Sequence, residues 1–162
     1  MRGIDSAHPY LATRGIQRAT AEQFSIGFYR GSGIFGGRLV IPIHNERGEL
    51  VAYCGRAVGG GQSRYRFPWE FPKSEIVFNL HRTVAAGRSS VVLVEGFFDC
   101  LKLYQAGVPA LAGLMGAALY EPQQRALLGH FRSVILMLDG DAAGRRATAV
   151  MAAQLRPMLR LV

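Results

Sequence analysis

Two short apolar runs, each stopping at an acid, set the tightest limit on how this chain can fold. Val91-Val92-Leu93-Val94 leads into Glu95-Gly96, with Asp99 close behind. Forty-four residues after Glu95, Val134-Ile135-Leu136-Met137-Leu138 has led into Asp139-Gly140-Asp141-Ala142-Ala143-Gly144. Consecutive β-branched and apolar residues mark strands buried on both faces, the strands of parallel sheets covered by helices. Helical spacing follows each run. Phe97, Leu101 and Tyr104 predict one helix, ended by Gly107 with Pro109 beyond, and Ala147, Val150, Met151 and Leu155 predict one face of another. The pattern is that of an α/β fold, in which ligands bind outside the carboxyl ends of the strands. If the two strands are parallel neighbours, Glu95, Asp139 and Asp141 converge. Converging carboxylates repel one another unless a cation neutralises them. Hard oxygen donors of this kind suit Mg²⁺ or Mn²⁺.

The rest of the chain is patterned differently. Residues 9–16 predict a helical turn closed by Gly15. Residues 20–24 predict a short helix start, with Thr20 as N-cap and Gln23 at the capping-box position. Residues 38–43 and 49–56 predict a hairpin through the turn chemistry of Asn45-Glu46-Arg47-Gly48. Residues 59–63 predict a flexible glycine loop, and residues 64–74, aromatic and broken by proline, an ordered one. Residues 76–80 predict a short strand or turn before a small helix near 81–86. Further along come a weaker strand at 108–114, a helix with Pro122 at its first position, a strand over 133–138, and the beginning of a fourth strand at 159–162.

A chain of 162 residues, 49% of them apolar, suffices for one domain or two small subdomains sharing a core. The net charge is +8, and apart from Lys73 and Lys102 every cation is arginine. Arginine favours bidentate phosphate contacts. A basic chain with an acidic cluster suggests polyanion binding around a metal, although an arginine-rich proteome gives the same composition. Cys54 and Cys100 have neither zinc-ribbon nor disulfide spacing, so buried free thiols are expected, which suits a cytoplasmic location. The start of the chain lacks the apolar core of a signal peptide. The longest apolar stretch, residues 106–119, is too short to span a bilayer and contains Pro109, so no membrane partner is expected. The histidines show no ligand spacing.

Glu-Gly-x-x-Asp after one strand and Asp-x-Asp-x-x-Gly after a later one together resemble the toprim domain, shared by DnaG-type bacterial primases, topoisomerases and some nucleases. The segment before it resembles the primase catalytic core: Leu11-Ala12-Thr13-Arg14-Gly15-Ile16, then Glu22-Gln23-Phe24-Ser25-Ile26-Gly27-Phe28, then the predicted hairpin. Lys73-Ser74-Glu75-Ile76-Val77-Phe78-Asn79-Leu80 is similar to a family stretch with a basic residue before a Leu-Tyr/Phe-Gly/Asn-Leu turn. The resemblance implies an α+β N-terminal subdomain, mixed-sheet and basic, over residues 1–86. A toprim-type, mostly parallel sheet flanked by helices follows over 87–162. Against the family pattern, no zinc-ribbon module precedes residue 1, and a second acidic pair and a helical subdomain are expected beyond residue 162. The chain is therefore expected to be a fragment or a reduced relative, without zinc.

The resemblance also implies roles. Glu95, Asp139 and Asp141 would hold Mg²⁺ or Mn²⁺, with Glu95 a general base or a metal-linked acid. The alternative for Asp141 is N-cap of the following helix; metal binding is the favoured reading, and the side chain can serve both roles. Asp99 is a secondary candidate, since a first-turn carboxylate also favours the helix dipole. Lys73 matches a family basic position and would act in catalysis and in nucleotide binding. Arg56, Arg64 and Arg145 are candidates for nucleic-acid or nucleotide contacts, Arg145 against a solvated-surface alternative. Tyr65, Phe67, Trp69 and Phe71 alternate with arginines and could stack bases, but plugging a core edge is the favoured reading.

The implied activity is metal-dependent nucleotidyl transfer, making short RNA primers on single-stranded DNA from ribonucleoside triphosphates, with a replicative helicase as a further partner. One rival is a toprim nuclease, against which residues 11–80 argue. The other is a non-catalytic toprim module that binds nucleic acid or a replication partner.

Overall fold

The computed structural model describes residues 1–60, 63–156 and 160–161, the last two by backbone alone. Gly61 and Gln62 of the expected glycine loop, and Leu159 and Val162 of the expected fourth strand, lie outside the described residues. The chain forms two compact units: Met1–Ile43 with Leu50–Phe71, and His44–Glu49 with Pro72–Val162. The boundary falls after Phe71 rather than at residue 86. The reason is packing: Val77 and Leu80 lie in the same apolar cluster as Val91, Leu93 and Val134 of the parallel sheet.

The first unit is a five-stranded sheet whose strands lie in chain order. They are β1 (Ile4–Asp5), β2 (Gly27–Tyr29), β3 (Arg38–His44), β4 (Leu50–Ala57) and β5 (Tyr65–Arg66). β1 pairs antiparallel with β2, β2 with β3, and β4 with β5. Helices α1 (Pro9–Thr13) and α2 (Arg18–Gln23) connect β1 to β2. Gly15 takes the left-handed conformation at the end of α1, as its position predicts. The start of α2 differs from expectation. Gln17 is the N-cap, its side chain making no capping bond, and Thr20 lies buried inside the helix. An Arg18–Glu22 pair at 2.8 Å supplies the support that a cap would have given. Arg38 is 1% exposed, with its guanidinium on the carbonyls of Ser63 (3.0 Å) and Gly55 (3.4 Å). Burial, then the neighbouring Arg66, lowers its pKa.

The second unit is a sheet of order β7-β6-β8-β9, parallel throughout. Its strands are β6 (Ser90–Val94), β7 (Leu111–Gly113), β8 (Ser133–Leu136) and β9 (Arg160–Leu161). Helices α3 (Leu80–Ala85), α4 (Phe97–Gln105), α5 (Glu121–His130) and α6 (Ala142–Leu155) surround it. Leu80, Leu127, Met151 and Leu155 meet Val91, Leu93 and Val134 in one cluster. α4 packs beside β7, where Cys100 Sγ would touch a side chain at Gly113. Both cysteines are buried free thiols, and burial pushes the Cys100 pKa up. α5 begins at Glu121, one residue earlier than expected, because the Gln123 side chain accepts from the Tyr120 backbone N–H at 3.1 Å. On α6, Val150 is 59% exposed, against expectation, and Gly144 takes a buried position instead. No helix among the described residues is long and apolar enough to cross a membrane.

In this unit the His81 ring lies tilted against that of His44, with centroids 4.9 Å apart, and its buried Nδ1 has no hydrogen-bond partner among the described residues. Burial, then His44, then Arg82, lowers the His81 pKa from 6.5 to about 4. Burial, then Arg82, lowers that of His44. A folded-state pKa below the unfolded value means that the unfolded chain binds more protons between the two. Stability is therefore intact above pH 6.5 and falls as the pH drops towards about 4. The ring is partly exposed, so screening reduces the loss to about 1–2 kcal/mol. Thermal unfolding followed from pH 7.5 to 4.5 is expected to show a slope that His81→Asn flattens. An unchanged slope in that variant refutes the assignment to His81.

Candidate active site at the carboxyl ends of the parallel strands

β6 and β8 are direct neighbours, with Val92 opposite Ile135 and Leu93 opposite Leu136. Both strands stop at the same end of the sheet, so Glu95 and Asp139 emerge side by side. The Glu95 Oε1 accepts a hydrogen bond from the backbone N–H of Asp139 at 3.2 Å. β8 ends at Leu136, two residues earlier than expected, and Met137 is 49% exposed while its N–H still reaches the Leu93 carbonyl at 2.9 Å.

Asp141 is the N-cap of α6, its Oδ1 accepting from the Gly144 N–H at 2.8 Å. Gly144 is needed there by contact, since a Cβ would lie 1.9 Å from the Asp139 carbonyl oxygen. The last glycine of Asp-x-Asp-x-x-Gly therefore lets α6 close onto the acidic loop. Asp139 and Asp141 are both exposed. Asp99, in the first turn of α4, places Oδ2 where a Gly96 side chain would stand.

The loop after β7 completes this end of the sheet. The Leu114 N–H reaches the Val94 carbonyl and the Gly116 N–H reaches the Glu95 carbonyl, each at 3.0 Å. Between them Met115 adopts a left-handed backbone (φ 59°). Lys73 opens the 3-10 turn Lys73–Glu75, and its Nζ lies 3.5 Å from the point that a Gly116 Cβ would occupy. Lys73 Nζ thus lies near Gly116, whose N–H bonds the Glu95 carbonyl, while the Glu95 side chain meets the Asp139 N–H.

Among the described residues, no three His, Cys, Asp or Glu side chains gather into a metal cage. The expected convergence of Glu95, Asp139 and Asp141 is thus reduced to Glu95 on the Asp139 backbone, because Asp141 turns back to cap α6. The donors still fit a hard divalent ion. Mg²⁺ is ordinarily held through one or two carboxylates, with water and substrate phosphates completing its shell. Among the described residues no ion pair neutralises Glu95, Asp99, Asp139 or Asp141. A carboxylate has lone pairs for both a cap and a cation, so the role of Asp141 in α6 leaves its second oxygen available.

The other basic candidates divide. Arg145 is exposed on α6 and donates to the Gly140 carbonyl. In the first unit Arg64 is exposed, 5.8 Å from the Tyr65 ring centroid. Arg56 is only 4% exposed and donates to the hydroxyls of Tyr10 (2.9 Å) and Tyr65 (2.7 Å). It is built into the β4–β5 packing instead of lining a groove. Trp69 departs from the expected core plug: it is 91% exposed, while Phe67 and Phe71 stack on each other at 5.5 Å. Gln123, 0% exposed, escaped sequence reasoning. Its signal was present, a Gln three residues after the Tyr that precedes a Glu-Pro helix start.

Residues 89–160 match the toprim domain. The DNA primase of Geobacillus stearothermophilus is 37% identical over 93% of this chain and 31% of its own. That of Mycoplasma pneumoniae is 40% identical over 70% of this chain and 19% of its own. The zinc-binding and RNA polymerase domains of Aquifex aeolicus primase superpose with a TM-score of 0.86 at 26% identity, covering 96% of this chain and 48% of that one. The fold and these matches place the second unit in the toprim class, whose members work with divalent metal ions. Within that class, the chain carries a toprim core of the DnaG primase type. It spans less than a third of the length of the curated primases it matches.

Proposed function

We propose that this chain carries out primase-type nucleotidyl transfer, joining ribonucleotides on a single-stranded DNA template. The observation that supports this most is the Glu95–Asp139 link between neighbouring strand ends, with Lys73 Nζ near Gly116 in the adjoining loop. In the reaction a 3′-hydroxyl attacks the α-phosphorus of a ribonucleoside triphosphate, a new P–O bond forms, and pyrophosphate leaves. Glu95 would take the hydroxyl proton, and its hydrogen bond from the Asp139 backbone N–H would hold the carboxylate as it does so. A divalent ion, Mg²⁺ or Mn²⁺, bound by Glu95, Asp139 and the second oxygen of Asp141, would neutralise charge on the phosphate oxygens. Lys73 supplies a point charge for the triphosphate. Arg145 on α6 and Arg64 in the first unit are proposed as phosphate contacts. Arg56 is proposed to act by holding the Tyr65 ring next to Arg64. Asp99 serves as a helix-terminal acid behind Glu95.

The test is incorporation of labelled ribonucleotides on single-stranded DNA with Mn²⁺, using the wild-type chain and Glu95→Gln. Few short oligoribonucleotides are expected from this 162-residue chain alone, and those few set the baseline. Loss of the base is expected to reduce them by on the order of 10²–10⁴. A folded wild-type chain that cuts the template and incorporates nothing would establish the nuclease reading. Undiminished synthesis by Glu95→Gln would remove Glu95 from the chemistry.

A further inference from the structure

Gln123 is a wholly buried polar side chain that the proposed reaction leaves unused. Its Nε2 faces three backbone carbonyls, those of Lys73 (3.2 Å), Ile76 (2.9 Å) and Leu114 (3.4 Å). Its Oε1 accepts from the Tyr120 N–H at 3.1 Å. An amide has two N–H donors, so the three carbonyls share them, and the side chain is fully committed. These bonds join the Lys73–Glu75 turn, the segment after β7 and the start of α5. That segment runs on to Gly116, over which Lys73 Nζ lies, and Gly116 is bonded to the Glu95 carbonyl. The amide thus anchors both the backbone that carries Lys73 and the backbone that its ammonium covers.

We propose that Gln123 is a positioning residue that sets the Lys73 ammonium for the triphosphate of the incoming ribonucleotide. This rests on the reading of Lys73 as a triphosphate contact. A lysine is a point charge on a flexible stem, so its reach is decided by where its backbone is held. Without the amide the turn loses these bonds to the segment after β7 and the start of α5, and the backbone that carries Lys73 shifts. A glutamine serving packing alone would change stability without any coupling to Lys73.

The test is titration of a fluorescent ribonucleoside triphosphate, mant-GTP, in Mn²⁺ against four proteins: wild type, Gln123→Met, Lys73→Ala and the double variant. Methionine keeps the volume and loses the donors. Gln123→Met is expected to weaken binding roughly tenfold, the scale of a small misplacement. Lys73→Ala is expected to weaken it at least as much, and the double variant no further than Lys73→Ala alone. Full addition of the two effects, or a folded Gln123→Met that binds like wild type, overturns the positioning role. Lys73→Ala binding like wild type instead overturns the Lys73 reading itself. If Gln123→Met does not fold, ¹⁵N-labelled protein decides. The Gln123 side-chain amide signals are expected to shift with nucleotide in the otherwise native chain and not in Lys73→Ala. Equal shifts in both overturn the proposal.

Discussion

Gly144→Ala is expected to destabilise the protein by about 3 kcal/mol or more, a single methyl group having nowhere to go. Its Cβ would stand 1.9 Å from the Asp139 carbonyl oxygen, 2.7 Å from the Asp139 carbonyl carbon and 3.1 Å from its Cα. All three are backbone atoms, so no side chain can swing aside. Relief requires α6 to retreat from the loop, which breaks the 2.8 Å bond from the Gly144 N–H to Asp141 and moves the Asp139 N–H away from Glu95. Stability and site geometry are therefore expected to fail together. Gly129 is the internal control. It lies within α5 with nothing near the position of a Cβ, so Gly129→Ala is expected to stabilise by about 0.5–1 kcal/mol through helix propensity. Urea unfolding of the two variants measures both effects. A Gly144→Ala protein as stable as wild type would sink the close-contact account.

The strand ends were legible because they follow from chemistry that a sequence carries openly. Val91, Leu93, Val94 and Val134 are buried and Val92, Ile135 and Leu136 half-buried by their own composition, and the acids mark where the apolar runs stop. What was hidden depended on which neighbour each residue meets. Asp141 reads as metal ligand, N-cap or both, and the structure shows the cap, made through Oδ1 to the Gly144 N–H. Arg56 reads as a phosphate contact until Tyr10 and Tyr65 enclose it. A guanidinium with two phenol hydroxyls and two ring faces as partners can be buried at little cost, and no local pattern announces a partner such as Tyr10, 46 residues away. Trp69 was missed in the opposite direction. Phe67 and Phe71 satisfy each other by stacking, leaving Trp69 outside, and which aromatics in a run pair off is decided by loop conformation. Val150 fell on the apolar stripe of α6 by spacing, yet the stripe facing the sheet runs through Gly144, Met151 and Leu155. The close approach at Gly144 rotates the helix away from the face that residue size alone suggests.

Mn²⁺ binding is expected to fall by on the order of a hundredfold in Glu95→Gln and in Asp139→Asn, since each loses a charge at the strand ends. Calorimetric titration measures it, and Asp139→Asn binding Mn²⁺ as wild type does would remove Asp139 from the site. Asp139 and Asp141 should separate cleanly without metal. Asp141 caps α6, so Asp141→Ala is expected to cost about 1 kcal/mol of stability, whereas Asp141→Asn, a good cap itself, costs almost none. Asp139 is exposed and, among the described residues, has no ion pair to lose, so Asp139→Ala is expected to leave metal-free stability unchanged. In Asp141→Asn any loss of Mn²⁺ affinity can then be assigned to charge and not to helix fraying. If that variant keeps full affinity, Asp141 belongs to α6 alone and the cation rests on Glu95 and Asp139. If affinity falls while stability holds, one carboxylate serves the helix with one oxygen and the cation with the other. The Asp-x-Asp-x-x-Gly spacing would then exist to let a single side chain do both.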